Sequence, residues 1–425
     1  MKAEILCVGT EILLGDIVNT NAQFIARRLA AMGIESYNQS VVGDNPGRLR
    51  DSLEIAFSRA DTVIMTGGLG PTYDDLTKET AADFFGRSLA MHAPSLKRIE
   101  DFFKKVGREM TENNKKQAMM PEGDGVTVFE NHNGTAPGLA VRGLLKQKPE
   151  WGVKTAILLP GPPREMKAMF TESVEPYLAG FSERVFVSHE MHLFGIGESA
   201  AEAKLIDVME SMTNPTIAPY AKEGEVLLRV TASAEDAEKA DALTRPAMDI
   251  VYDRLGQYVY GVDVGSLQNA AVRLLTEKKL TVATAESCTG GLIARRITDV
   301  PGASEVFGMG AVCYANEIKM KLLGVSADTL EKYGAVSHQT AEEMAEGARR
   351  VAGADIAVST TGIAGPGGGT PEKPVGLVYI GLATAKGCES FELHLARGYS
   401  SDREMIRWLA ASNALHKVIE AAKTL

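Results

Sequence analysis

The stretch Ala285-Glu286-Ser287-Cys288-Thr289-Gly290-Gly291 joins a strand pattern to a helix pattern. An apolar β-type run, residues 280–284, comes directly before it. A helical pattern follows, and its apolar residues share one face: Leu292, Ile293 and Ile297. A strand that turns into a helix through small residues exposes the side chains of the turn beside unpaired helix N–H groups. Ser287 and Cys288 are therefore candidate nucleophiles next to an oxyanion site. The same pattern also fits a structural turn in which Ser287 or Thr289 caps the helix.

The composition is that of a folded protein with two or three domains. The chain has 425 residues, of which 45% are apolar and 24% charged, and its net charge is −10. The absence of a large basic block argues against a general nucleic-acid or membrane-surface protein. Four widely spaced cysteines without a CxxC pair are typical of reduced thiols: Cys7, Cys288, Cys313 and Cys388. With no signal-peptide pattern at the start, we expect a cytoplasmic protein.

Three buried strand patterns in the first section alternate with helical patterns, at residues 5–8, 63–65 and 156–159. This alternation predicts a parallel sheet that is covered on both faces. Each strand ends in a polar, glycine-rich turn. Ligands bind at the carboxyl ends of strands in such sheets, so we expect a site there.

Those turns carry residues suited to phosphate and metal. Gly67-Gly68-Leu69-Gly70 lets main-chain N–H groups approach a phosphate closely. Asp75 follows this segment, and Asp16 and Asp44 lie in similar turns. Carboxylates beside a phosphate suit a hard divalent ion such as Mg²⁺ or Mn²⁺. The alternative is that turns simply favour Gly, Asp, Asn and Pro.

The later sections have other patterns. Residues 176–261 read as β-α-β-β-α-β, a split-βαβ arrangement that we interpret as a spacer or dimer element. His189 and His192 lie three apart on a predicted strand, so they point to opposite faces and make a poor metal pair. Further on, Thr340 and Glu343 have the spacing of a capping box at the start of a helix.

Several motifs, in order along the chain, resemble those of the CinA family. The N-terminal motifs are Gly9-Thr10-Glu11-Ile12-Leu13-Leu14-Gly15-Asp16, Gly67-Gly68-Leu69-Gly70-Pro71-Thr72-Tyr73-Asp74-Asp75 and Leu159-Pro160-Gly161-Pro162-Pro163. The C-terminal motifs are the stretch at 285–291, Tyr314-Ala315-Asn316-Glu317-Ile318-Lys319, Gly334-Ala335-Val336-Ser337 and Thr361-Gly362-Ile363-Ala364-Gly365-Pro366. The resemblance implies an α/β protein with three domains. These are a molybdopterin-binding-like parallel-sheet domain at 1–170, a KH-like α+β domain at 176–261 and an α/β amidohydrolase domain at 262–425.

The resemblance also implies two hydrolytic activities of pyridine-nucleotide recycling. The C-terminal domain resembles a nicotinamide mononucleotide deamidase, with Ser287 as nucleophile, Lys319 as base, and Tyr314 and Asn316 as orienting groups. Its implied substrate-binding residues are Thr289, Gly290, Gly291, Thr361, Gly362, Ala364, Gly365, Arg403 and Arg407. The N-terminal domain resembles an ADP-ribose pyrophosphatase whose implied nucleotide-binding residues are Glu11, Gly67, Gly68, Gly70, Thr72, Pro160 and Gly161. Its implied metal ligands, for an ion of the Mg, Mn or Co class, are Asp16, Asp44 and Asp75.

Other interpretations stay open at this point. The N-terminal domain could bind molybdopterin, or the chain could be a non-catalytic nucleotide-sensing or interaction protein. Cys288 could replace Ser287 as nucleophile, because a helix N-terminus lowers the pKa of a thiol. Residues 397–403 replace the tighter Gly-Asp-Arg turn expected in the family. We expect a homodimer, no membrane or nucleic-acid partner, and no cofactor at the deamidase site.

Overall fold

The chain forms two compact units in the computed structural model, which describes residues 1–181, 184–396 and 402–425. One unit contains Met1–Val187 with Ala232–Ala242, and the other contains Ser188–Thr231 with Leu243–Leu425. Strands and helices alternate through both, so the predicted α/β class is confirmed. Among the described residues, no helix combines the length and apolar character that crossing a bilayer requires.

The first unit is built on a six-stranded sheet. The strands of this section are β1 (Ala3–Val8), β2 (Gln39–Val42), β3 (Thr62–Thr66), β4 (Leu89–Met91), β5 (Met119–Pro121), β6 (Val126–Phe129), β7 (Gly138–Leu144) and β8 (Val153–Leu159). The helices are α1 (Thr10–Leu14), α2 (Thr20–Ala31), α3 (Pro46–Arg59), α4 (Thr77–Phe84), α5 (Ala93–Lys105), α6 (Pro163–Met169) and α7 (Glu175–Ala179). Strand order in the large sheet is β2-β1-β3-β8-β7-β6, while β4 and β5 pair separately.

The prediction of a parallel sheet holds for four of its strands. β1 pairs in parallel with β2 and β3, and β3 pairs in parallel with β8. β7 and β6 extend the sheet in antiparallel fashion, which the sequence pattern did not indicate. Alternate side chains of β1 enter different cores, because Ile5 and Cys7 lie on one face and Leu6 and Val8 on the other. The sheet is therefore covered on both faces, as expected.

The middle section has the predicted β-α-β-β-α-β order. Its elements are β9 (Val185–Phe194), α8 (Glu198–Ala203), α9 (Ile206–Ser211), β10 (Thr216–Lys222), β11 (Glu225–Ala234), α10 (Ala237–Leu255) and β12 (Val259–Val262). The sheet order is β10-β11-β9-β12. Two short helices, α8 and α9, occupy the first helical position of this order. His192 is buried on β9, whereas His189 bonds Asp263 at 2.7 Å, so the pair shares no site.

The last section carries a five-stranded sheet. Its strands are β13 (Val282–Glu286), β14 (Phe307–Val312), β15 (Ile356–Gly362), β16 (Leu377–Thr384) and β17 (Gly387–His394). Its helices are α11 (Leu267–Lys278), α12 (Leu292–Thr298), α13 (Asn316–Ile318), α14 (Ala327–Tyr333), α15 (His338–Ala352) and α16 (Arg403–Thr424). β13 lies between parallel neighbours β14 and β15, and β16 and β17 follow as antiparallel strands.

The predicted capping box at Thr340 and Glu343 is wrong. α15 begins earlier, with Ser337 as the N-cap residue that accepts a hydrogen bond from the Thr340 amide. Glu343 instead accepts hydrogen bonds from the Ser326 amide and the Thr329 hydroxyl, at 2.6 Å each. A tertiary contact thus uses the carboxylate that the local pattern assigned to the cap.

The middle and last sections share a core within the second unit. Phe194 of β9 and Tyr260 of β12 are buried in the same apolar cluster as residues of α11, α12 and α16. Phe194 also stacks on His416 of α16, with the ring centroids 4.6 Å apart. The middle section is therefore packed against its neighbour, which is more than the predicted spacer would require.

Candidate active sites

The turn that carries Ser287 lies where three parallel strands end. β13 delivers Ser287, β14 leads to Cys313 and Tyr314, and β15 ends beside them because these strands run in parallel register. The Ser287 amide donates to the Thr360 carbonyl at 2.9 Å, which fixes the start of the turn against β15. The serine side chain itself stays partly exposed. The site thus lies at the carboxyl ends of parallel strands, where ligands bind in α/β sheets.

Lys319 meets Ser287 at this edge. Its Nζ atom lies 3.3 Å from Ser287 Oγ and donates to the carbonyls of Cys313 at 2.9 Å and Tyr314 at 3.0 Å. The residue is only 1% exposed, and burial lowers the pKa of its amine. It opens a π-helical turn, Lys319–Leu323, a geometry that occurs often at functional sites. A solvated surface lysine, the usual case, is thereby excluded.

The three hydrogen-bond partners of Lys319 Nζ can be served by either protonation state of the amine. A neutral lysine has two N–H donors and one lone pair, whereas an ammonium has three donors. The two carbonyls take two donors, so the third direction, toward Ser287 Oγ, holds the lone pair when the amine is neutral. In that state Lys319 can accept the serine proton.

The Glu286 carboxylate occupies the N-terminus of α12, where the sequence pattern predicted an oxyanion site. Its buried carboxylate accepts hydrogen bonds from the amides of Ile293 at 3.1 Å and Ala294 at 2.8 Å. The first turn of α12 is therefore already capped, and the expectation that Ser287 or Thr289 caps it is wrong. The turn has other amides, at Cys288, Thr289 and Gly291. None of these donates to a main-chain acceptor in the described part of the chain.

Cys288 points away from the site. It is 5% exposed and packs in an apolar cluster with Ile406, Leu409 and Ala410 of α16. Burial raises the pKa of its thiol to about 12. A thiol in this environment is protonated and inaccessible, so the structure disfavours Cys288 as nucleophile.

Two predicted substrate-binding hydroxyls are used inside the protein. Thr289 Oγ1 is buried and lies 2.7 Å from Thr360 Oγ1, and Thr361 Oγ1 donates to the Ala335 carbonyl at 2.6 Å. These hydrogen bonds hold the turn and the end of β15, and the substrate-binding role of the two residues stays a prediction. The other predicted residues of this loop region lie nearby in the chain: Gly290, Gly291, Gly362, Ala364 and Gly365. Of these, Ala364 is buried beside Cys288 in the same apolar cluster.

Both predicted arginines reach the site from α16. Arg407 donates from Nε and Nη2 to the Thr289 carbonyl, at 3.2 and 2.6 Å. Arg403 donates to the Gly365 carbonyl at 2.8 Å and lies 3.5 Å from the Tyr314 hydroxyl. Tyr314 is exposed, and so is Asn316, which opens α13. Tyr314 therefore contacts Lys319 through its main-chain carbonyl and not through its ring. The divergent residues 397–401 lie outside the described part of the chain.

A separate cleft with a volume of about 580 Å³ lies in the first unit, at the carboxyl ends of β1, β3 and β8. It is lined by nearly all the residues predicted for this site: Glu11, Asp44, Gly67, Gly68, Gly70, Thr72, Asp75, Pro160 and Gly161. Gly67 has φ +104°, and a Cβ there would stand 2.0 Å from the Val8 carbonyl oxygen. The ends of β1 and β3 can thus approach closely only because this residue is glycine.

The three predicted metal ligands are not brought together. Asp75 accepts a hydrogen bond from the Thr72 amide at 2.9 Å, and Asp44 accepts from the Thr10 amide at 2.9 Å and the Thr10 hydroxyl at 2.8 Å. Asp16 is exposed and absent from the residues that line the cleft, so the structure gives no support to its assignment as a metal ligand. The predicted turn after β1 is helix α1, which carries Asp16 beyond the strand end. Within the described residues, no three His, Cys, Asp or Glu side chains form a ready metal cluster.

A divalent ion nevertheless fits what remains. Magnesium commonly takes one or two carboxylates together with substrate phosphates and water. Asp44 and Asp75 both line the cleft, and each carboxylate has more acceptor positions than its hydrogen bonds use. The residues present therefore fit a divalent ion whose coordination is completed by the substrate phosphates and water.

Two cleft residues, Asn21 and Glu165, and one residue that supports the cleft, Lys116, escaped the sequence analysis as functional candidates. Asn21 lines the cleft and is buried, and no described residue bonds its Oδ1 atom. Glu165 also lines it, accepts from Asn131 at 2.6 Å, and has its carboxyl pKa raised by burial. Lys116 holds the loop that carries Asp75, by donating to the Thr72 and Asp75 carbonyls at 2.9 and 2.5 Å. No local motif marks Asn21 or Lys116, because only the fold brings them here.

Comparison with known proteins covers nearly the whole chain. Residues 4–180 match the family described as a probable molybdopterin binding domain. Residues 188–261 match the damage-inducible protein CinA KH domain, and residues 264–422 match the CinA C-terminal domain.

Full-length relatives are similar in sequence. A competence-damage inducible protein of Clostridium novyi (strain NT) is 54% identical over 98% of this chain and 97% of its own length. A CinA-like protein of Dictyoglomus thermophilum is 53% identical over 98% of both chains. Identity at this level along the whole length, with the three domain matches in order, shows that the chain belongs to the CinA family.

Proposed function

We propose that the C-terminal site hydrolyses the carboxamide of nicotinamide mononucleotide to nicotinate mononucleotide and ammonia. The observation that carries the proposal is the buried Lys319 amine, held by two carbonyls and 3.3 Å from Ser287 Oγ. A serine needs an adjacent base to act as a nucleophile, and a desolvated lysine is such a base.

The first half of the reaction forms an ester. Ser287 Oγ attacks the carboxamide carbon while Lys319 takes the hydroxyl proton. The tetrahedral intermediate then collapses, and Lys319 returns the proton to the departing nitrogen, which leaves as ammonia. Ser287 is left esterified with the nicotinate mononucleotide acyl group.

The second half restores the enzyme. Water attacks the ester carbon, Lys319 accepts a water proton, and the same proton passes to Ser287 Oγ as the ester bond breaks. The sum is one water consumed, with one ammonia and one nicotinate mononucleotide released. No metal takes part in either half.

The oxyanion and the phosphate need their own donors. Because Glu286 occupies the helix amides, the donors we assign to the oxyanion are the amides of Cys288 and Thr289 within the turn. Arg403 and Arg407 supply the positive charge for the substrate phosphate. Their bonds to the Gly365 and Thr289 carbonyls set them at the rim of the same site.

For the N-terminal cleft we propose cleavage of ADP-ribose to AMP and ribose 5-phosphate. The supporting observation is that Asp44, Asp75 and Glu165 line one cleft with the glycine-rich segment at 67–70. A divalent ion bound by Asp44 and Asp75 would neutralise pyrophosphate charge and polarise the phosphorus under attack. The glycine-rich main chain would hold the phosphate oxygens.

One experiment tests both proposals. The purified protein is incubated separately with nicotinamide mononucleotide and ADP-ribose, with and without divalent metal, and the products are identified. Ammonia release that persists in chelator supports the metal-free serine mechanism, and its loss in chelator contradicts that mechanism. ADP-ribose cleavage is expected only with metal. A pterin chromophore that copurifies, with no ADP-ribose cleavage, would instead favour molybdopterin binding in the cleft.

A further inference from the structure

The start of helix α16 lies between the Ser287 turn and the β10–β11 hairpin turn, residues 222–225. Trp408 Nε1 donates to the Glu223 carbonyl at 3.2 Å. A Cβ added to Gly224 would stand 2.7 Å from Cδ2 of Leu409. The main chain of the hairpin turn therefore rests directly on two consecutive residues of α16.

Buried polar residues surround this contact on the side of Trp408 and on the side of the hairpin turn. The Arg296 guanidinium lies 4.2 Å from the centre of the Trp408 ring and donates to Ser412 Oγ at 2.8 Å. It is only 3% exposed. Glu225, the last residue of the hairpin turn, is buried and accepts a 2.5 Å hydrogen bond from the Tyr260 hydroxyl. Burial lowers the pKa of Arg296, and the negative charge of Glu225 acts against that shift. The hairpin turn thus meets α16 through packing and the Trp408–Glu223 hydrogen bond, while Glu225 faces the positive charge of Arg296, which itself contacts Trp408 and Ser412.

The same helix reaches the candidate active site one residue earlier. Arg407 precedes Trp408 and donates two hydrogen bonds to the Thr289 carbonyl, inside the Ser287 turn. A Cβ on the neighbouring Gly290 would lie 3.3 Å from Arg407 Nη2. Because consecutive residues of a helix move together, a shift of Trp408 also displaces Arg407 and its guanidinium.

We propose that the hairpin turn of the middle domain positions Arg407, and so sets how tightly the deamidase site binds the phosphate of its substrate. The middle domain is then a working part of this site rather than a spacer. Gly224 and Trp408 are positioning residues, since they act through Arg407 and do not touch substrate. The proposal rests on the deamidase function proposed above.

Two substitutions loosen the contact, and each has a matched control. Gly224→Ala places a methyl group against Leu409 at a residue with φ +82°. Gly195→Ala imposes similar strain, at φ +84°, but its new methyl group would lie no closer than 3.9 Å to any neighbour, Tyr258. Trp408→Phe removes the indole N–H that bonds Glu223. Trp151→Phe changes the other tryptophan of the chain, in the first unit.

The decisive measurement is a comparison of two substrates. For nicotinamide mononucleotide, Gly224→Ala and Trp408→Phe should each raise KM by about five- to tenfold and keep kcat within about twofold. For nicotinamide riboside, which lacks the phosphate, neither variant should change KM. Both controls should match the parent protein with both substrates. An unchanged KM for the mononucleotide, or an equal rise for both substrates, would overturn the proposal.

A second readout separates this proposal from the deamidase assignment. In a Trp151→Phe background Trp408 is the only tryptophan, so its fluorescence reports on the hairpin contact. Gly224→Ala should increase acrylamide quenching and weaken nicotinamide mononucleotide binding in calorimetry, while Gly195→Ala should do neither. If mononucleotide binding weakens in Gly224→Ala but the parent protein releases no ammonia, the deamidase activity is refuted and the positioning role of the hairpin turn is retained. Unchanged quenching and binding in Gly224→Ala would refute the positioning role alone.

Discussion

Lys319 Nζ lies 3.3 Å from Ser287 Oγ, and main-chain carbonyls take two other hydrogen bonds of the same amine. The two residues are 32 positions apart in the chain, and β13 and β14 bring them together by running in parallel. The pair is therefore a product of sheet register as much as of either motif.

Loss of either member of this pair should abolish deamidation. Ser287→Ala and Lys319→Ala should each lower kcat by about a thousandfold or more, and the double variant should be little worse, because residues acting as a unit are not additive. Steady-state assays of ammonia release on folded proteins measure this. A fully active Lys319→Ala would leave Ser287 without the base assigned here.

The pH dependence should follow the state of Lys319. Only the neutral amine accepts the serine proton, and burial lowers the pKa of that amine. The deamidase kcat should therefore fall as pH drops below this lowered pKa and stay level above it. Lys319→Arg, whose guanidinium keeps its proton, should be inactive at every pH. Activity in Lys319→Arg that recovers at high pH would point to another base.

Cys288 should be dispensable for chemistry. Its thiol is buried with a pKa raised to about 12, so Cys288→Ala should keep most of its deamidase activity. The variant should lose stability instead, by about 1 kcal/mol or more for the removed sulfur, as in other core truncations. Denaturant unfolding and ammonia assays separate the two effects. A dead but fully folded Cys288→Ala would reverse the assignment of the nucleophile.

The capping role of Glu286 predicts that replacing its carboxylate destabilises the protein at the turn that carries Ser287. Glu286→Gln places an NH₂ donor against one of the two helix amides and should destabilise the protein by about 1–3 kcal/mol. Because the Ser287 turn depends on this cap, kcat should fall as well. Glu305→Gln, an exposed substitution in the same domain, is the control. Thermal unfolding and kcat that match the parent in Glu286→Gln would contradict the role.

The N-terminal site offers a matched pair of aspartates. Asp75→Asn should lower metal-dependent ADP-ribose cleavage by about a hundredfold or more, because the ion loses a charged ligand. Asp16→Asn should leave cleavage intact, since Asp16 is absent from the cleft lining. Both variants should deamidate normally, which serves as the folding control. Equal losses in the two variants would place the metal elsewhere.

Much of the fold was predictable because it depends on local patterns. Continuous apolar runs mark buried strands, and small residues mark the turns at their ends, so β1, β3, β8 and β13 were found with the site motifs that follow them. Strands β6 and β17 were missed because they are short or largely exposed, and lack a continuous apolar run. A strand of this kind forms only when a neighbour offers it a partner.

The sequence by itself determined the fold class, the order of the middle domain, and the Ser287 and Lys319 motifs. Only the tertiary structure decided which groups share a site. It brought Lys319 within hydrogen-bond distance of Ser287, and it bonded the first amides of α12 to the Glu286 carboxylate. It also buried the Cys288 side chain in the core and left Asp16 outside the cleft lining. It also placed Asn21 in the N-terminal cleft, Lys116 against the loop that carries Asp75, and the hairpin turn against α16. Hydrophobic periodicity acts over a few residues, whereas hydrogen bonds between distant side chains depend on register and packing that no local pattern records.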